Sequence, residues 1–130
     1  MNSFELRVKK PACERHSFFN SELETPNSKL SMIIYNVTVN IDDAVHDEWL
    51  VWMKKTHIPE VVATGCFSSG CMFKLLVDEQ SGTSYSIQYR APNMAAIKMY
   101  LEKFAPEMRG KAEESFGGKF TAFRTLLEEV

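Results

Sequence analysis

The segment from Asp42 to Thr64 constrains the fold most, because it contains both tryptophans of the chain within one helical pattern. Asp42 and Asp43 suit a helix start, where side-chain oxygens cap free N–H groups and negative charge meets the positive end of the helix dipole. Apolar residues then recur at helical spacing, at Val45, Trp49, Trp52, Met53 and Ile58. Pro59 lacks an N–H and clashes with the preceding turn, so a kink or restart is predicted at His57-Ile58-Pro59.

Strands are predicted on both sides of this helix. In Ile33–Ile41, β-branched and aromatic residues alternate with polar ones, which is the pattern of a half-buried strand. Gly65 stands where a helix needs a left-handed cap residue. The run from Cys66 to Val77 predicts a second strand, with Gly70 as a bulge, and residues 78–82 predict a hairpin loop.

The second half of the chain repeats the alternation of strand and helix. Thr83–Arg90 is predicted as a strand, and Asn93 as the cap of a second helix. Pro106 should interrupt that helix, which resumes as far as Phe116. After Gly117-Gly118 a final strand is predicted over residues 119–130.

The resulting order, βαββαβ, predicts an α+β ferredoxin-like domain: a four-stranded antiparallel sheet with two helices on one face. We expect the helices to be faced by Tyr35 and the alternate residues of the first strand that share its side, together with Phe73 and Ile87. The other face, with Ile34, Asn36, Met72 and Leu76, is either a solvated surface or the interface of a homodimer that closes a dimeric α/β barrel. We favour the homodimer.

Composition and charge exclude several classes of protein. The chain has 130 residues, enough for one domain, and a formal net charge of −2. Nucleic-acid binding is therefore not expected, because it needs a basic face. No apolar run is long enough for a membrane span or resembles a secretory signal. Three cysteines without scaffold spacing indicate reduced thiols and a cytoplasmic location.

Residues 1–31 show no sustained periodicity and mix charged, polar and proline residues. We interpret them as a disordered or loosely ordered leader, upstream of the domain formed by residues 32–130. A sharper hypothesis is that Met32 is the true initiator of the protein.

Three stretches carry a family resemblance: MIIYNVTVNIDD, HDEWLVWMKKTHIPEVVATGCF and FGGKFTAFRTLLEEV. Together they resemble a small bacterial family described as a domain of unknown function, whose members begin near the position of Met32. More distantly the layout is similar to the dimeric α/β barrel superfamily, which includes antibiotic-biosynthesis monooxygenases, haem-degrading enzymes, muconolactone isomerases and stress-response barrel proteins. The resemblance implies a fold and no activity, and no catalytic motif of those enzymes matches here.

His57 and Arg124 are the candidate catalytic residues. His57 lies beside the proline kink and on or near the apolar helix face, so it is either an acid or base in a pocket or a structural residue bonded to a carbonyl freed by Pro59. Arg124 interrupts the apolar final strand. Because an unpaired buried charge is costly, its side chain must reach a carboxylate, a carbonyl or water, and its role is either a structural ion pair or capture of an anionic ligand.

Four further residues are candidates for ligand binding. Arg90 has the same two alternatives as Arg124, and Glu60 could pair with His57. Trp49 and Trp52 could line an aromatic pocket, although aromatic residues at such spacing usually form core. Cys66 and Cys71 are five residues apart on a predicted strand, which places them on opposite faces, so no metal site is predicted. No cofactor motif is found.

The sequence therefore supports two functions. The first is a small homodimeric binding or interaction module, without catalysis. The alternative is a cofactor-independent oxygenase or isomerase that acts on a small aromatic or polyketide-like substrate, with His57 as acid–base and Arg124 as anion holder. A deep cavity that contains both residues would favour the enzyme, whereas a filled core would favour the module.

Overall fold

A computed structural model describes residues 32–130 of the chain. The predicted leader, residues 1–31, lies outside the described residues. The elements are β1 (Ile33–Ile41), α1 (His46–Trp52), a π-helical turn (Met53–His57), α2 (Ile58–Ala63), β2 (Ser69–Lys74), β3 (Thr83–Ala91), α3 (Met94–Lys103), α4 (Ala105–Phe116) and β4 (Phe120–Glu128). A single 3₁₀ turn (Asp43–Val45) precedes α1.

The four strands form one antiparallel sheet in the order β2-β3-β1-β4. β1 is central because its alternating residues Tyr35, Val39 and Ile41 are buried under the helices. The predicted ferredoxin-like α+β fold is therefore confirmed, including the strand order that follows from a βαββαβ chain. β2 and β4 form the two edges of the sheet.

The predicted helix boundaries agree with the hydrogen bonds at the helix ends. Asp42 Oδ1 accepts a bond of 2.8 Å from the N–H of Ala44, and Asn93 Oδ1 accepts one of 2.9 Å from Ala96. Gly65 has a φ of +88°, as a left-handed cap residue requires. In the described part of the chain, every helix is too short or too polar to span a lipid bilayer.

The predicted side-chain orientation in β2 is wrong. Phe73 pairs with Ser86 and lies on the face away from the helices, whereas Met72 pairs with Ile87 and faces them. The strand begins at Ser69, and its pairing with β3 continues through Gly70 without a bulge. Residues 66–77 are apolar at both parities, so alternation alone could not decide which set faces the helices.

The sheet face away from the helices, here called the open face, has a polar centre. Ser86 Oγ donates to Asn36 Oδ1, Asn36 Nδ2 donates to Thr38 Oγ1, and Gln88 Nε2 donates to Ser86 Oγ. These groups satisfy one another within one protomer. Apolar side chains surround them and remain exposed, including Phe73, Phe123 and Leu127.

Candidate functional site

A cavity of about 350 Å³ lies between the helices and the sheet, where a filled core would be expected. This volume falls in the range of small-molecule sites, about 300–1,000 Å³. Most of its wall is apolar or aromatic, and besides three tyrosines its titratable lining residues are His57, Arg109, Glu113 and Arg124. Such a wall, with a few polar groups, is typical of a ligand site.

Small side chains contribute to the lining on both the helix side and the sheet side of the cavity. Ala112 of α4 and Ala122 of β4 both line it. β4 is an edge strand, and its next helix-facing residue, Arg124, is exposed. The core is therefore closed on the β3 side by Ile87 and Tyr89 and left open towards β4.

Pro59 shapes the wall formed by the first helical segment. Instead of breaking the helix, it is accommodated by the π-helical turn, in which the N–H of Ile58 bonds to the carbonyl of Met53. The hydrogen bonds of this turn join residues that are five apart. Trp52 and His57 are also five apart, so they lie on the same side of the helix. Their rings stack with centroids 4.5 Å apart. The predicted kink is thus present as a π-turn, a feature often found at functional sites.

His57 is held neutral in this wall. Burial lowers its pKa from 6.5 to about 4, partly opposed by the nearby carboxylate of Glu60 and reinforced by Lys111. Its Nδ1 is buried and has no hydrogen-bond partner among the described residues. Glu60 instead forms an ion pair with Lys111, Oε1 to Nζ, at 3.3 Å. Because this Nδ1 atom of His57 is buried and has no partner, it costs the folded protein stability.

Two arginines and two tyrosines form a polar end of the cavity. Arg109 Nη2 donates a hydrogen bond of 3.3 Å to Tyr35 Oη. The pKa of Tyr100 is raised, mainly by burial and by Tyr35, while Arg109 and Arg124 act in the opposite direction. Arg109 and Arg124 line the same cavity as Tyr100, whose hydroxyl stays protonated and able to donate. The arrangement can hold a negative charge.

The structure brings four of the six predicted site residues to the cavity: His57, Arg124, Trp49 and Trp52 line it. Glu60 stays outside, paired with Lys111. Arg90 lies on the open face, where its Nη2 is 3.6 Å from Glu129 Oε1.

Sequence reasoning missed Arg109, Glu113 and Tyr100 as lining residues. Arg109 lies three residues before Ala112 and seven before Phe116, so it shares a helix face with residues predicted to be apolar. A charged residue on such a face was the signal that could have identified it. Tyr100 lies in the helix predicted after Asn93, and the sequence alone could not show that it lines a cavity.

Several solved structures are similar to this fold. One is a conserved protein of unknown function from Bacteroides thetaiotaomicron, described as a "possible oxidoreductase", with a TM-score of 0.56 and 16% identity over 77% of this chain and 99% of that one. Another is an ethyl tert-butyl ether d (EthD) family protein from Bacillus halodurans, with a TM-score of 0.58 and 8% identity over 75% of this chain and 99% of that one. At such identities the likeness shows the fold alone.

A third similar structure is a dimeric ferredoxin-like protein from an uncultured marine organism, with a TM-score of 0.46 and 14% identity over 75% of this chain and 95% of that one. Among curated proteins, no match to the chain is found. Residues 32–130 match the model of the family described as "Domain of unknown function (DUF4286)". The match spans the whole described part of the chain, so the protein belongs to the DUF4286 family.

Proposed function

We propose that this protein is a small-molecule-binding module whose site is the cavity between the helices and the sheet. The observation that carries the proposal is the cavity itself, about 350 Å³ inside a domain of 99 described residues. Small domains bury little surface and gain stability from filled cores, so a void of this size is costly. Binding of a small molecule gives a reason for the protein to retain this cavity.

The cavity contains both His57 and Arg124, which by the criterion stated for the sequence favours the enzyme. The chemistry of His57 instead favours binding. A general base is most effective when its pKa is near the working pH, and a pKa of about 4 leaves His57 a weak proton acceptor near neutrality. The second candidate function, a cofactor-independent oxygenase or isomerase, needs a ligand whose negative charge raises that pKa towards neutrality.

Filling the cavity tests the binding proposal. The substitution Ala112→Phe places a ring in the cavity, and Ala95→Phe adds the same ring on the exposed side of α3 as a matched control. Two small arenes, 2-naphthoate and 2-naphthylmethanol, serve as trial ligands. Binding is followed by tryptophan fluorescence, because Trp52 lines the cavity.

We expect at least one arene to bind the native protein and the Ala95→Phe variant but not Ala112→Phe. The proposal is wrong if neither arene binds at millimolar concentration, or if binding survives in Ala112→Phe. Measurement of the His57 pKa by NMR, with and without the bound arene, separates the two functions. A value that remains near 4 favours the module, whereas a rise towards neutrality favours the enzyme.

We further propose that two copies of the chain associate through the open face. Of the side chains that the four strands place on this face, Arg90 is the only charged one, and Glu129 partly neutralises it. Phe73, Phe123 and Leu127 are 47%, 62% and 40% exposed. Depletion of charge combined with exposed aromatic side chains is typical of the core of an interface. A face with so little charge offers no complement to a charged partner and suits a second copy of itself.

The dimer is tested by light scattering after size-exclusion chromatography. We expect a dimer at micromolar concentration for the native protein and for Val51→Glu, which alters an exposed residue of α1 on the helical side. Phe123→Glu should give a folded monomer, because it places a charge among the exposed apolar side chains of the proposed contact. A monomeric native protein would end this proposal.

A cytoplasmic location fits the described thiols. Cys66 is buried and Cys71 is partly buried, and both are free. Free thiols persist in reducing compartments, whereas exported proteins of this size often carry disulfides. Localisation of a fluorescent fusion tests this part of the proposal.

A further inference from the structure

We propose that the ligand of the cavity is a small aromatic carboxylate, with its carboxylate between Arg109 and Arg124 and its ring among the aromatic side chains of the wall. This inference rests on the proposed binding function and specifies the chemical class of the ligand. Three observations on the lining residues support it.

The charge of the lining is the first observation. Arg109 and Arg124 contribute two positive charges, Glu113 contributes one negative charge, and His57 is neutral. The lining is therefore net positive, although the chain as a whole is net negative. Neither guanidinium group forms an ion pair with a carboxylate within residues 32–130. Both arginines are exposed, so water solvates them in the free protein, and both remain available to an anionic ligand that enters the cavity.

The hydroxyl groups near these arginines are the second observation. Tyr35 Oη accepts a hydrogen bond from Arg109, so its own hydrogen is free to be donated. Burial keeps the Tyr100 hydroxyl protonated, and it too can donate. A carboxylate has two oxygens and accepts about four hydrogen bonds, which matches two guanidinium groups and two hydroxyls. A neutral hydroxyl or ketone would leave part of this set unused.

The aromatic wall is the third observation. Tyr35 and Tyr100 have ring centroids 5.5 Å apart and tilted by 59°, and Trp52 and Phe120 also line the cavity. Such rings favour offset and edge-to-face contacts with a planar arene, which add to the gain from burying apolar surface.

The test compares two ligands with the same naphthalene ring, 2-naphthoate with a charged carboxylate and 2-naphthylmethanol with a neutral hydroxymethyl group. We expect the native protein to bind the carboxylate at least tenfold more tightly than the alcohol, because hydrogen bonds to charged groups are the stronger ones. Arg124→Gln should weaken binding of the carboxylate by about tenfold to a hundredfold and leave binding of the alcohol within about twofold. Arg124 is exposed, so this substitution should not affect folding.

Two further variants complete the design. Arg90→Gln removes an arginine from the open face, outside the cavity, and should change neither affinity. Arg124→Lys keeps the charge without the planar fork and should retain part of the preference for the carboxylate. Isothermal titration calorimetry at fixed salt gives all the affinities.

The outcomes separate this inference from the binding function. If both ligands bind with equal affinity and Ala112→Phe blocks both, the cavity binds small molecules but the carboxylate assignment is wrong. The assignment is also wrong if the preference survives in an Arg109→Gln/Arg124→Gln double variant. If Ala112→Phe blocks neither ligand, or neither ligand binds, the binding function fails and the assignment fails with it.

Discussion

Replacement of His57 by Phe tests whether this side chain is buried and neutral in the folded protein. In the native protein the ring of His57 stacks on Trp52, with centroids 4.5 Å apart. The variant keeps an aromatic ring at this position and removes the titratable group. In the native protein burial lowers the His57 pKa from 6.5 to about 4. Between these two values the unfolded chain binds a proton at His57 and the folded chain does not. Acidification therefore favours the unfolded state, and stability present above pH 6.5 is lost as the pH falls through 4.

The magnitude follows from the difference between the two pKa values. Each unit of pKa corresponds to about 1.4 kcal/mol, so complete protonation costs the native protein about 3 kcal/mol relative to the variant. The domain should have a total stability of roughly 5–15 kcal/mol, so this is a substantial share.

Urea denaturation at a series of pH values measures the effect. The free energy of unfolding of the native protein should fall by about 3 kcal/mol more than that of His57→Phe between pH 6.5 and pH 4. Above pH 6.5 the variant should be at least as stable, because it no longer buries the unpartnered Nδ1. His46→Gln serves as a control and should keep the pH dependence of the native protein, because His57 remains.

The reasoning is refuted if the free energy of unfolding changes with pH in the same way for the native protein and for His57→Phe. They would mean that His57 is as well solvated in the folded chain as in the unfolded one. In that case His57 would not be a buried residue of the cavity wall.

Other substitutions test packing, with the free energy of unfolding measured in urea. Trp49→Ala should cost about 3–5 kcal/mol, because Trp49 is buried, whereas Val51→Ala at an exposed position should stay within about 0.5 kcal/mol. Gly70→Ala should cost about 1–3 kcal/mol, since an added Cβ would lie 3.0 Å from the ring of Tyr89. Gly110→Ala, in α4 with open space around it, should stabilise the protein by about 0.5–1 kcal/mol; a loss there would contradict the described packing of α4.

Most of the fold could be predicted from local patterns. The alternation in Ile33–Ile41 identified the central strand and its buried side, and Asp42, Asn93 and Gly65 marked helix ends through hydrogen bonds that each residue makes with its own neighbours. The orientation of β2 could not be predicted in this way. Its register depends on pairing with β3, a contact between segments distant in the chain.

The sequence by itself determined the order of the elements and the family, because these follow from periodicity, turn residues and motifs along the chain. Only the tertiary structure showed that Ala112 and Ala122 line one cavity. It also showed that Arg109 and Arg124 line the same cavity from different elements. A cavity is empty space defined by residues from several segments. Its volume therefore depends on how the helices pack on the sheet, which no local pattern contains.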